Sequence, residues 1–290
     1  MKRSFIFVIL AGILWGTSSI MVHFIAPLGF SSLQMTFFRG LISFIFMIIY
    51  VAVKDKSAFK VKPLELLLFA ASGLGFFGTA SGYFFSMQAT SVSTAVVLMY
   101  TAPVLVMIFS VLFLGEKLTP VKAVSVVCMV VGCGLVSGII GGLKFDALGI
   151  AMGLLSGVSY AAYNIFTKIS MRRGANPMSA TLYCFMFSAI VAFFACEPQE
   201  IPALVLQNVG VTIPLLIALG VFTCVLPYLL YTNALKILPA GTASAMSIVE
   251  PMAATVFSVV LFDEKLTAPS AVGIVLILGA VFMLSRNEKA

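Results

Sequence analysis

Ten apolar stretches divide this chain, each close to the ~20 residues that a helix needs to cross a bilayer. They run over residues 4–24, 32–53, 66–88, 92–114, 120–140, 148–170, 178–196, 211–235, 241–262 and 268–285. Of the 290 residues only 9% are charged and 61% are hydrophobic, where a soluble domain is about a quarter charged. No water-facing shell can be built from that supply. The runs are continuous, whereas barrel strands would be about ten residues long and alternate with period two. The chain is therefore expected to be an all-α integral membrane protein of ten transmembrane helices. Lys2 and Arg3 ahead of the first run imitate a secretory signal, but the run is long and no Ala-x-Ala site follows, so it reads as an uncleaved span.

The chain also repeats itself. Glu116–Thr119 and Glu264–Thr267 both read Glu-Lys-Leu-Thr, 148 positions apart. Laying residues 80–136 on 228–284 without a gap gives 14 identities in 57, against roughly five from composition alone. Tyr83 falls on Tyr231 and Pro103 on Pro251, so the duplication runs through the helices as well as the polar anchors. Two five-helix repeats are expected, at 1–142 and 146–286, forming a single transmembrane domain. Because five is odd, the second repeat enters the membrane from the opposite side. Inverted repeats create a pseudo-two-fold axis in the membrane plane and are the usual architecture of alternating-access carriers.

Charge sets the orientation. With the N-terminus inside, fourteen Lys and Arg fall in inner segments, Lys144 and Lys265 fall outside, and Arg39 lies within a span. By the positive-inside rule both termini are cytoplasmic. The net charge of +7 is thus a topology signal, aided by anionic lipid, and not a sign of nucleic-acid binding. The five cysteines show no Cys-x-x-Cys spacing and there is one histidine, His23, so no zinc set is expected and the cysteines are assigned to packing.

Leu14-Trp15-Gly16, Arg39, Ala102-Pro103 followed by Leu114-Gly115-Glu116-Lys117-Leu118, and Glu250-Pro251 followed by Asp263-Glu264-Lys265-Leu266 resemble the EamA branch of the drug/metabolite transporter superfamily. The resemblance covers the whole chain. It implies a ten-helix inner-membrane carrier with cytoplasmic termini, often an exporter of amino acids or other small metabolites. The lysine that often follows the family's Trp-Gly pair is missing between Thr17 and His23, so its role does not carry over.

Glu250 leads the candidate site residues. It stands ten residues into the ninth span, roughly 14 Å along the helix and near the midplane, where a charge costs about 2.5–3.5 kcal/mol and should face a cavity or a partner. Its alternative role is packing as a protonated or hydrogen-bonded group. Pro103 and Pro251 each remove an N–H and free the carbonyl four residues back, at Met99 and Ser247; paired interruptions in corresponding helices point to a central site, unless they only shape the bundle. Trp15 with Ser19, Tyr160 with Tyr163 and Asn164, Tyr228 with Tyr231, and Tyr83 and Tyr100 supply an aromatic and polar lining suited to an amine or an amino acid, or merely fill helix contacts. Arg39 is more naturally structural, by snorkelling or pairing, than substrate-binding. Gly73-Leu74-Gly75 and Gly138 to Gly142 follow no strand and read as close-packing residues.

No Gly-x-x-x-x-Gly-Lys-Ser/Thr motif occurs, so energy is expected from exchange or from a gradient, with proton or ion coupling and no cofactor. The sequence reading is a secondary active transporter, not an enzyme, that exports a small amino-acid or amine-like substrate. The alternatives are import or exchange of an organic cation or nucleoside-type metabolite, a passive channel, or a structural membrane protein. A homodimer is compatible with it. Phosphorylated substrates are disfavoured, since only Arg39 and Lys168 could meet them in the core.

Overall fold

The structure, a computed structural model, describes residues 2–138, 146–262 and 265–287. Asp263, Glu264, Lys144, Lys289 and the stretch 139–142, all used above, lie outside the described residues. Ten apolar helices follow: α1 Lys2–Leu28, α2 Ser32–Lys54, α3 Pro63–Ala89, α4 Thr94–Leu114, α5 Pro120–Val136, α6 Ala147–Arg172, α7 Pro177–Ala195, α8 Val209–Leu235, α9 Ala240–Phe262 and α10 Ala268–Asn287. All but α5 are long and apolar enough to cross a membrane. α5, expected to reach residue 140, is followed helically only to Val136. No strand occurs among the described residues.

Local chemistry sets the helix ends. Ser31 and Gln34 form a capping box at the start of α2, with the Ser31 hydroxyl accepting from Gln34 N and Gln34 Oε1 accepting from Ser31 N. Thr119, Asp146 and Asn176 accept backbone N–H groups in the same way at α5, α6 and α7. Proline occupies the first turn of α3, α5 and α7, where its missing N–H costs nothing. The outward faces are apolar, with Phe194 80% and Phe113 69% exposed, as lipid contact requires.

Three of the five pairs of corresponding helices, α2 with α7, α4 with α9 and α5 with α10, pack against each other antiparallel. Near the start of α2, Gln34 donates to Glu200 just beyond the end of α7; Gly40 abuts Ala189; and Asp55, after α2, accepts from Asn176 at the head of α7. α5 meets α10 at Gly132 and Gly273, with Ile277 beside Gly132 and Val136 beside Gly273. α4 meets α9 where Ala240 N donates to Glu116 and where Gly241 rests on Met107. The remaining contacts exchange in pairs. α3 lies on α6 as α8 lies on α1, and α6 lies on α4 as α1 lies on α9. This is the inverted two-fold arrangement that a five-helix duplication demands.

Small residues allow the closest approach. At Gly75 and Gly82 of α3 an added Cβ would stand 2.7 Å from the carbonyl oxygens of Ser159 and Met152 in α6. Between helices in lipid, where burial of apolar surface offers little advantage, such backbone proximity and buried hydroxyl contacts supply the attraction. Ser156 and Thr167 of α6 bond Thr79 O and Ser72 Oγ of α3.

Candidate functional site

The helices part where four of them break. α4 loses its regular ladder at Tyr100 and Thr101, ahead of Pro103, and resumes at Ala102. α9 breaks at Ser247 and Ile248, so Glu250 stands in the first turn of the following helix, Val249–Phe262, where the helix dipole favours a carboxylate. α1 is interrupted at Thr17, whose N–H and hydroxyl both turn back to Leu14 O. α8 carries a wide π-turn at Val221–Val225, directly before Pro227.

Between these breaks lies a cavity of about 70 Å³ lined by Trp15, Arg39, Met99, Tyr100, Ala102, Pro103, Tyr160, Tyr228 and Glu250. Both halves contribute walls. Of the residues singled out in the sequence, Glu250, Trp15, Arg39, Tyr100 and Pro103 meet here, with Tyr160 and Tyr228 from the aromatic set. The others do not line it. Tyr231 donates its hydroxyl to Asn164 Oδ1, and Asn164 Nδ2 donates to Tyr160 O at 2.8 Å, so this buried pair braces the wall from behind. Ser247 Oγ meets Tyr160 Oη at 3.0 Å and fixes that ring. Tyr163 packs edge-on against Tyr228. Ser19 bonds Gly16 O of its own helix, and Tyr83 and Pro251 lie outside the lining.

Arg39 departs from the snorkelling reading. Its Nε points to Cys224 Sγ at 3.4 Å, within the π-turn, and its guanidinium lies 5.7 Å from the centre of the Phe76 ring. Glu250 faces the Tyr100 hydroxyl. Although both charges border one cavity, they form no ion pair within 4.0 Å. Trp15 is 4% exposed, packs on Tyr228 and Tyr231, and its indole N–H has no partner. The cavity is thus bordered by an acidic side chain, Glu250, a basic one, Arg39, and aromatic rings.

Sequence reading does not place Ala102 in the lining, and places Met99 there only through its carbonyl; both could have been found from the repeat, since Ala102 corresponds to Glu250 and Met99 to Ser247. The π-turn had Pro227 as its only visible signal.

Burial differs between the two ends of the site. Every residue from Ala240 to Val249 is buried, whereas in the corresponding part of α4 Thr94, Ala95 and Tyr100 are buried but Val96–Met99 and Thr101 are half-buried. The α9 segment on the side of the chain termini is therefore the more buried of the two.

The EamA-like transporter family model matches residues 2–138 and again residues 147–286. An uncharacterized transporter of Clostridium kluyveri is 27% identical over 100% of this chain and 96% of its own length. One of Archaeoglobus fulgidus is 28% identical, covering 97% and 95%, and the uncharacterized transporter YwfM of Bacillus subtilis is 26% identical, covering 98% and 94%. A solved crystal structure superposes on all of both chains with a TM-score of 0.82 at 18% identity, a likeness of fold.

Proposed function

This chain belongs to the EamA-like transporter family, and from that premise we propose that it is a secondary active carrier exporting a small amino-acid or amine-like metabolite across a bacterial-type inner membrane. Both termini face the cytoplasm in this reading, as the excess of Lys and Arg on the terminal face favours. The cavity shared by the two halves is the substrate site, and rocking of the halves exposes it to each side in turn.

One observation carries the reading: Glu250 and Arg39 border a single cavity without pairing. A substrate ammonium suits the Glu250 carboxylate, and a substrate carboxylate suits Arg39 with the unpartnered Trp15 N–H. The tyrosine rings hold the ammonium through their faces. At about 70 Å³ the cavity is narrower than the roughly 300–1,000 Å³ of ordinary ligand sites, so binding widens it. Energy comes from exchange or from a proton or ion gradient.

Counterflow into vesicles holding purified protein tests the proposal. A carrier shows trans-stimulation by internal amino acid or amine, and a pore shows none. Labelling of Lys117→Cys and Lys265→Cys with an impermeant thiol reagent tests the orientation; modification from the same side would remove it. A thermal-shift screen against amino acids, amines, nucleosides and sugars identifies the class, because a ligand of the folded state raises apparent stability.

A further inference from the structure

At the terminal face three charged side chains join four helix ends, Glu116 and Arg172 across the boundary between the halves and Lys168 within the second half. Glu116, beyond α4, accepts from Ala240 N at 2.8 Å and from Gly241 N at 3.4 Å, capping α9. Lys168 of α6 donates to Leu235 O and Leu238 O, both at 2.6 Å, at the C-terminal end of α8. Arg172, one turn on, donates to Leu114 O at the end of α4 and lies 3.9 Å from Glu116. Each charge meets the helix end whose dipole it complements, anion at an N-terminus and cations at C-termini. Lys168 is 5% exposed, and the Glu116 side chain is 7% exposed.

On the opposite face the counterpart of Glu116, Glu264, lies outside the described residues, whereas the counterpart of Lys168 can be compared. Gly12 of α1 rests on Ser247, Val249 and Glu250 of α9, just as Gly157 of α6 rests on Leu98, Met99 and Thr101 of α4. Residues of α1 therefore correspond to those of α6 found 145 positions later, pairing Trp15 with Tyr160 and His23 with Lys168. Where Lys168 grips two carbonyls, His23 lays its ring on Phe262 at 4.2 Å. The Lys168 grip at one end thus has an aromatic contact of His23 as its counterpart at the other.

We infer that Glu116, Lys168 and Arg172 form the lock that holds the terminal face shut. The inference rests on the carrier reading above and adds its gating residues. For the cavity to open toward the terminal face, the α8–α9 elbow, the end of α4 and the end of α6 must part from one another. The Glu116, Lys168 and Arg172 contacts to those ends then break together. The closed side is also where Ser244, fully buried, has a hydroxyl without a partner.

Reciprocal labelling tests this in full-length protein reconstituted with its five native cysteines replaced by serine or alanine. Ser244→Cys reports the closed side and Met99→Cys the cavity side, each measured as an alkylation rate with a maleimide. Adding Glu116→Ala, Lys168→Met or the milder Arg172→Gln should raise the rate at Ser244→Cys about tenfold or more and lower it at Met99→Cys, as a shift between two states requires. Unchanged rates overturn the inference. A rise at both positions also overturns it, because loosening of the fold exposes both sides. The Arg172→Gln variant, altered at a half-exposed side chain, keeps the test available should the buried changes prevent folding. Labelling needs no substrate, so a reciprocal shift without any counterflow would sustain the lock while removing the carrier reading.

Discussion

Gly132 and Gly273 face each other so closely that a Cβ on either would stand 2.8 Å or less from the other's carbonyl oxygen. The contact joins α5 to α10, corresponding helices of the two halves. Gly273→Val forces the backbones apart and is expected to cost about 1–3 kcal/mol by overpacking, seen as a lower unfolding temperature in detergent. An unchanged temperature would show that the two helices can separate freely there.

Glu250→Gln keeps the volume and the Tyr100 contact but removes the anion. Uptake in vesicles should fall by about tenfold or more, as expected where an intramembrane charge serves the substrate, while the protein elutes and melts as before. Flux at the original level would take Glu250 out of the mechanism.

Trp15→Phe removes an N–H that serves nothing in the protein itself. If that donor meets the substrate, apparent affinity should drop about twofold to tenfold, corresponding to one hydrogen bond of roughly 0.5–1.5 kcal/mol. A Km equal to that of the original protein would assign the indole to packing with Tyr228 and Tyr231.

Asn164→Ala leaves the buried Tyr231 hydroxyl without its acceptor. The cost should be about 1–3 kcal/mol, and replacing both residues, Asn164→Ala with Tyr231→Phe, should recover part of it. A double-mutant cycle in detergent reads the coupling; strict additivity would deny the brace.

Asp55 lies in the connection between α2 and α3. Hydrogen bonds from the Ser57 hydroxyl and N–H, then from Asn176, hold its carboxyl below its ordinary value of 3.8. A depressed folded-state value stabilises the fold above the ordinary carboxylate range, and the benefit disappears as pH falls through the folded value. Asp55→Asn should therefore flatten the acid limb of the stability profile measured between pH 5 and about 2. An acid limb of undiminished steepness would show that other carboxyls set it.

The helices were legible because lipid imposes one rule on every residue of a span, and a run of apolar side chains records that rule locally. Inversion was legible as well, since an odd number of spans per copy leaves no other choice. The cavity was half legible. Glu250 and Arg39 betrayed themselves by cost, and Pro103 by the hydrogen bond it cannot make. Ser247 and Asn164 share the same helix faces as cavity residues, but a partner's side chain reached them first, at Tyr160 and Tyr231. The tie was legible only in its charges, Glu116 in the repeated Glu-Lys-Leu-Thr and Lys168 within a span, because most of its partners are backbone groups of helix ends that any sequence would offer.

The lining comes from both copies of the duplicated unit, with Trp15, Arg39 and Tyr100 on one side and Tyr160, Tyr228 and Glu250 on the other. On the proposed carrier reading selectivity is consequently a joint property. A hybrid that takes one half from a relative would then inherit neither parent's preference, and an isolated half holds only an unfinished wall.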